Sequence, residues 1–230
     1  MSDTSEIFRI MPREMRLMSE RILSLTNLPK GFALMVGDAA MYSESMDLGG
    51  FALLEERIDI LKETDLTAIR IVSEDGQRIV LDAGKQHAWF VVPAALDLLD
   101  DRLGASQIAI VEITNVADPA ELAIGAAIGR RTGLEIDVEE TTLSAVAAEP
   151  ADPVLDKILE NGCAIPSELW WRIYALAQTA LAPDSVVSRR HAGPIIVTDN
   201  GKVIGRTDND DDTDIRFITN TGAEPERAHS

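Results

Sequence analysis

The spacing of apolar residues changes period near residue 66, and that change restricts the chain to folds that combine helices with strands. Before it, Met15, Met18, Ile22 and Leu25, then Phe32, Met35, Val36 and Ala39, then Phe51, Leu54, Ile58 and Leu61 recur every three or four positions. That is the repeat of one helical face. The breaks "NLPKG" and "MDLGG" separate three helical blocks. After the change, residues 67–82, "TAIRIVSEDGQRIVLD", are β-branched runs around Asp75-Gly76, a pair that accepts the positive backbone angles of a tight hairpin turn. Counting outward from that turn, Ile71 and Val80 share one face, and Val72 and Ile79 share the other. Both faces are apolar, which predicts a hairpin covered on both sides. The seven methionines all fall within the first 46 residues. At helical spacing they read as core packing, with an adaptable docking face as the other use of flexible thioethers.

Further along, Pro93 is expected to open a helix that ends near Gly104, and residues 107–116, "QIAIVEITNV", read as a buried strand. Asp118, Pro119 and Glu121 then offer a helix cap, a first-turn proline and a carboxylate at the third helical position. A helix to Gly133 and the strand "LEIDVEE" would complete a βαβ unit. Gly125 and Gly129 lie four apart on one helical face, which suits close packing. No GxGxxG follows a strand, and Asp118 with Glu121 would repel a pyrophosphate, so no cofactor is expected. Residues 147–153 resemble a linker; beyond them a helix reaches Gly162, and another, carrying Trp170, Trp171 and Tyr174, runs from Ser167 toward Pro183. The paired tryptophans suit a core anchor or a dimer contact. The expected fold class is α/β, a mixed sheet with an N-terminal helical layer, with α+β as the alternative. Residues 1–11 and 220–230 are expected to be disordered tails. Residues 12–146 would form the helical layer and α/β core, and 147–219 the C-terminal helices and hairpin on that core.

Composition sets limits on partners. A net charge of −18 repels nucleic-acid backbones and anionic lipid, which argues against nucleic-acid and membrane partners. The single cysteine, Cys163, permits neither an intrachain disulfide nor a cysteine metal cluster, and without a basic neighbour it reads as inert. No secretory signal or spanning segment stands out, so the expected location is cytoplasmic.

The chemistry-bearing residues concentrate in "SVVSRRHAGPIIVTDNGKVIGRTDND", residues 185–210. Asn200-Gly201 sits between two β-type runs, a strong hairpin signal. A two-residue turn there pairs Asp199 with Lys202, Val197 with Ile204, Gly193 with Asp208 and His191 with Asp210. Arg189, Arg190 and His191 would thereby meet Asp208, Asn209 and Asp210. The plainest reading is a charge-paired hairpin base, worth about 0 to 1 kcal/mol per pair. A Ser188, His191, Asp210 relay would supply nucleophile, base and orienting carboxylate, though the GxSxG elbow is absent. Arg189 could instead hold an anionic or amide-bearing small molecule, since its planar guanidinium matches a carboxylate, with Asp208, Asn209 and Asp210 orienting it or a proton. The aspartates at 208, 210, 212 and 214 begin like a calcium loop, but Thr213 and Thr219 stand where glycine and glutamate are needed. His87 has no ligand partner at zinc spacing, so no metal is expected.

Two stretches resemble an uncharacterised bacterial family, a domain of unknown function. Gly31, Asp38, Ala39, Ala40, Leu48, Gly50 and Leu53 match its N-terminal pattern, and Pro183, Ser188, Arg189, Gly193, Thr207, Asp208, Asn209 and Asp210 its C-terminal one. His191 lies outside that pattern. The resemblance implies weight on Ser188, Arg189 and the aspartates, and no particular activity. The sequence therefore suggests a homo-oligomeric enzyme of small-molecule metabolism, a hydrolase or lyase, with Ser188, Asp208 and Asp210 catalytic and Arg189, His191 and Asn209 binding substrate. The alternative is a non-catalytic partner subunit that docks through its methionine-rich helices.

Overall fold

The computed structural model describes residues 6–181, 196–197 and 203–204. The chain divides into two units, residues 1–181 and 182–230. The first unit opens with β1 (Ile7–Ile10), α1 (Pro12–Leu23), α2 (Lys30–Ser45), α3 (Gly50–Glu56) and α4 (Ile58–Lys62). It continues with β2 (Arg70–Asp75), β3 (Arg78–Asp82), α5 (Ala88–Leu103), β4 (Ala109–Thr114), α6 (Ile124–Thr132), β5 (Leu134–Glu139) and β6 (Thr142–Ala147). It closes with α7 (Pro153–Asn161), β7 (Cys163–Pro166) and α8 (Ser167–Gln178).

Five strands form a mixed sheet in the order β2-β3-β4-β6-β5. Only β3 and β4 are parallel neighbours; the other pairs are antiparallel. Alternation along the strands places Ile79, Leu81, Val111, Ile113, Leu143, Ala145, Leu134 and Ile136 on one buried face. Helices α5 and α6 cover that face, and α2 packs on both of them. Helices α1, α3 and α7 pack on α2, and α8 packs on α1 and α3. The α/β fold with a mixed sheet and an N-terminal helical layer is thus observed, with α5 and α6 standing between that layer and the sheet. Gly125 and Gly129 permit this packing: a Cβ at Gly125 would lie 3.2 Å from Leu143, and one at Gly129 3.1 Å from Ile136 Cγ1.

Several local expectations need correction. Residues 7–10, expected in a disordered tail, form β1, which pairs antiparallel with β7, a strand the sequence reading also lacked. The pairing is non-local, so neither short segment announces it. The β2–β3 hairpin turns through Gly76 and Gln77, with Asp75 opposite Arg78 and a bulge between Ile71 and Ser73, so Ile71 pairs with Leu81 and not with Val80 as a turn centred on Asp75-Gly76 would require. It is not covered on both sides. Strand β2 is exposed throughout because it forms the sheet edge, and Val72 remains 63% exposed.

Helix α5 begins at Ala88, and Pro93 lies inside it. The His87 ring caps that start by accepting the Trp89 N–H at 3.2 Å, which supplies a start signal other than proline. The adjacent βαβ unit is β3-α5-β4. Strand β6 separates β4 from β5, so β4-α6-β5 spans a gap. Met15, Met18 and Met41 are buried, as core packing requires, whereas Met11 and Met35 are exposed. Trp170 is buried against Phe51, whereas Trp171 is 56% exposed.

In the second unit, β8 (Ile196–Val197) pairs antiparallel with β9 (Val203–Ile204), and Asn200-Gly201 lies outside the described residues. The register differs by one residue from the expected one: Ile196 faces Ile204 and Val197 faces Val203. A two-residue turn would have given the other register, and a one-residue slip exchanges the two faces of a strand.

Candidate functional site

The residues singled out in the sequence, Ser188, Arg189, His191, Asp208, Asn209 and Asp210, lie outside the described residues. Within the first unit, two features stand out, and Trp89 belongs to both.

The first is at the carboxyl ends of the parallel strands β3 and β4, where open α/β sheets commonly place ligands. The loops that follow the strands are laced together by backbone bonds, Ala83 N–H to Thr114, Lys85 N–H to Asn115, Ala117 N–H to Gln86 and Ala88 N–H to Ala117. Lys85, Asn115 and Asp118 all take left-handed backbone angles there, with φ of 63°, 53° and 51°. Three non-glycine residues in that region mark stored local strain, a common property of functional loops. Asp82 holds the first turn by accepting from Gly84 N–H at 2.9 Å and Asn115 Nδ2 at 3.0 Å. Those bonds hold its carboxyl below the usual carboxylate range.

Behind these loops, the His87 side chain is fully buried. Its Nδ1 accepts from Trp89, which leaves the proton on Nε2 in the neutral ring. Nε2 lies 3.4 Å from Asp118 Oδ2 and makes no hydrogen bond among the described residues. Asp118 also accepts from Arg57 Nη2 at 3.1 Å. Burial lowers the His87 pKa from 6.5 to about 4; Asp118 opposes the shift and Arg57 adds to it. Asp118 was expected to cap a helix. It makes no cap bond: its backbone is left-handed and its carboxylate accepts from Arg57, while the turn after it, Pro119–Ala123, is a 3-10 helix that leads into α6.

Glu121, expected at the same helix start, is buried and accepts the Trp89 indole N–H at 2.6 Å. Burial raises its pKa, and Ser43 and Trp89 oppose this; the Ser43 hydroxyl lies beside the carboxylate without a hydrogen bond of good geometry. A buried acid with a raised pKa opposes folding when ionised, and that cost appears as pH rises above the unfolded value. Glu121→Gln can still accept from Trp89. Its melting temperature is expected to exceed wild type at pH 8, with the gap closing below pH 4. A variant less stable than wild type at pH 8 would contradict this account.

The second feature is a cavity of about 560 Å³ between α2, α5 and α6, closed on one side by Leu66 and Ile69. Phe32 and Phe90 stack on its wall with ring centres 5.9 Å apart, and Trp89 contributes to its lining. The Trp89 ring centre is also 4.5 Å from that of His87, so one indole separates the cavity from the buried polar group. Arg131 lines the cavity, bonded to Asp38 at 3.1 Å, and Asp38 accepts from Arg16 at 2.6 Å on its other oxygen. The Arg131 guanidinium is also 5.8 Å from the centre of the Tyr42 ring.

The N-terminal resemblance residues have structural uses. Asp38 ties α1 to α6 through the two arginines, Ala39 and Ala40 are buried, and Gly50 admits α3 against α2. Cys163 is buried, which raises its thiol pKa and keeps it protonated. Among the described residues, no group of three or more His, Cys, Asp or Glu side chains converges for a metal ion, and no helix is long and apolar enough to cross a membrane.

Sequence reasoning missed this region because His87 was weighed only as a zinc ligand and Asp118 only as a cap. The usable signal was the strand end "VLDAGKQH" followed by an apolar helix.

No family model and no curated protein matches the chain. Among solved structures, a dehydrogenase from Sinorhizobium meliloti superposes with a TM-score of 0.54 at 12% identity, covering 75% of this chain and 100% of that one. A malate dehydrogenase from Pyrococcus horikoshii OT3 gives a TM-score of 0.45 at 14% identity, covering 76% of this chain and 66% of that one. At these identities, the likeness to the Sinorhizobium meliloti protein is one of fold.

Proposed function

We propose that this chain is a small-molecule enzyme of metabolism that holds a largely apolar metabolite between α2, α5 and α6. The cavity carries the reading: about 560 Å³ lies within the range of small-ligand sites, and such sites combine apolar walls with a few polar groups. The strained β3 and β4 loops and the buried His87 beside Asp118 support catalysis in the same region. The fold shared with a dehydrogenase agrees with a metabolic role. The helix starts after β3 and β4 do not fit a dinucleotide, however. His87 occupies the Trp89 N–H at the start of α5, and Asp118 with Glu121 precedes α6, where a pyrophosphate would meet carboxylates. The test is Ala94→Trp, which places an indole in the cavity. Wild type is expected to gain about 2 °C or more in melting temperature from an apolar metabolite in a thermal-shift screen. Equal stabilisation of Ala94→Trp would overturn the assignment.

For the second unit we propose recognition of a carboxylate or amide by Arg189, His191 and Asn209. Ser188, Asp208 and Asp210 would carry out hydrolysis or elimination, and the chain would belong to the uncharacterised family it resembles. Arg189→Lys should then weaken stabilisation by small carboxylates without changing the melting temperature of the free protein. Identical responses in both proteins would remove Arg189 from the site. A non-catalytic role as a partner subunit is favoured by one observation: the exposed Trp171, in edge contact with Phe8 and Tyr174, suits a protein contact better than the methionines do, since Met15, Met18 and Met41 are buried.

A further inference from the structure

We infer that the α2–α5–α6 cavity selects an amphipathic organic cation, a molecule with an apolar body and a terminal ammonium group. The inference rests on the cavity reading above and adds the chemical class of the ligand. The charge of the lining decides it. The lining holds three carboxylates, Asp38, Asp97 and Asp100, against one guanidinium, Arg131, which is bonded to the Asp38 that Arg16 also binds. The remaining charged lining residues are Asp97 and Asp100, three apart on α5 and both exposed at the rim. Neither has an ion-pair partner among the described residues. Their spacing turns both toward the same side of α5. An anionic ligand would therefore meet two unmatched carboxylates at the mouth and a guanidinium already engaged inside.

The apolar part of the lining accepts the body of such a ligand. Phe32, Phe90 and Trp89 supply aromatic surface there, with Phe32 and Phe90 stacked on each other. The net charge of −18 adds a field that concentrates cations near the surface. An apolar chain would occupy the interior beside Phe90 and Leu96, with its ammonium at the Asp97 and Asp100 rim.

Isothermal titration of the full chain with n-octylamine, n-octanol and n-octanoate tests the inference, because the three probes share a chain length and differ in charge. Octylamine is expected to bind about five- to tenfold more tightly than octanol, and octanoate more weakly than either. In the Asp97→Asn, Asp100→Asn double variant, octylamine should fall to the octanol level while octanol binding is unchanged. Ala94→Trp should abolish all three, which separates cavity binding from adsorption to an acidic surface; circular dichroism melts check that both variants fold. Octanoate binding as tightly as octylamine would overturn the charge assignment and leave the cavity reading standing. Failure of all three probes, or binding undiminished in Ala94→Trp, would overturn both.

Discussion

Gly50→Ala is expected to lower stability by about 3 kcal/mol, near the upper end for overpacking a close contact. A Cβ at Gly50 would lie 2.7 Å from Glu44 N and 2.8 Å from Ser43 Cβ, and closer still to the Ala40 carbonyl oxygen. Most of these atoms belong to the α2 backbone, which cannot turn aside as a side chain can. Helix α3 would have to withdraw. That movement would disturb the buried Phe51 and Leu54, the bond from Phe51 N–H to Glu44 at 2.9 Å, and the Phe51 contact with Trp170. Gly31, in the same resemblance pattern, makes the control: a Cβ there meets nothing within 4 Å. Gly31→Ala should be neutral or stabilising by up to about 1 kcal/mol, because glycine is a poor helix former. Urea denaturation of both variants reads the difference as a change in midpoint. Equal midpoints would show that the α2–α3 approach does not require a glycine.

Acid is expected to destabilise the protein through His87 by on the order of 3 kcal/mol, the difference between a pKa of 6.5 and about 4 converted to free energy. The sign follows from proton binding. As pH falls below about 6.5, the unfolded chain protonates this histidine while the folded chain does not, so each step toward acid favours unfolding. The loss is complete near pH 4, where the folded ring also protonates. His87→Asn can retain the helix cap, since asparagine is a favoured capping residue, but it has no titrating ring. Removal of the buried ring lowers stability at every pH, so the informative quantity is the slope of stability against pH. Between pH 7 and 4.5 that slope should be clearly shallower in His87→Asn than in wild type. Identical slopes would assign acid sensitivity to other groups and leave His87 outside the linkage.

Legibility of the fold followed the range of the interactions involved. The N-terminal helices could be read because their periodicity is local: Met15, Met18 and Ile22 recur on one face and are buried together. The β2–β3 hairpin could be read because a glycine between two β-branched runs marks a turn, although its register could not: Asp75 pairs with Arg78, which leaves Gly76 and Gln77 in the turn. The closeness of the Gly125–Gly129 face could also be read, although its contacts with Leu143 and Ile136 could not.

What depended on distant partners was hidden. Strand β1 exists through β7, more than a hundred residues away. The insertion of β6 between β4 and β5 replaced the expected adjacent unit. The candidate site shows the same division. His87, Asp118 and Glu121 are visible as residue types, and two of them carry the local signature of a helix start. Tertiary structure reassigned them: the parallel pairing of β3 with β4 laces their loops together, holds Asp118 in a left-handed conformation and sets Arg57 against it. The cavity has no sequence signal, because its walls come from three helices and the 66–69 turn, each ordinary alone. The sequence by itself therefore determined the N-terminal helices, the approximate places of the turns and the net charge, all governed by local backbone preference and composition. Which polar groups were buried together, and where space was left between helices, was decided by tertiary packing, because desolvation and cavity shape depend on every element that meets at a point.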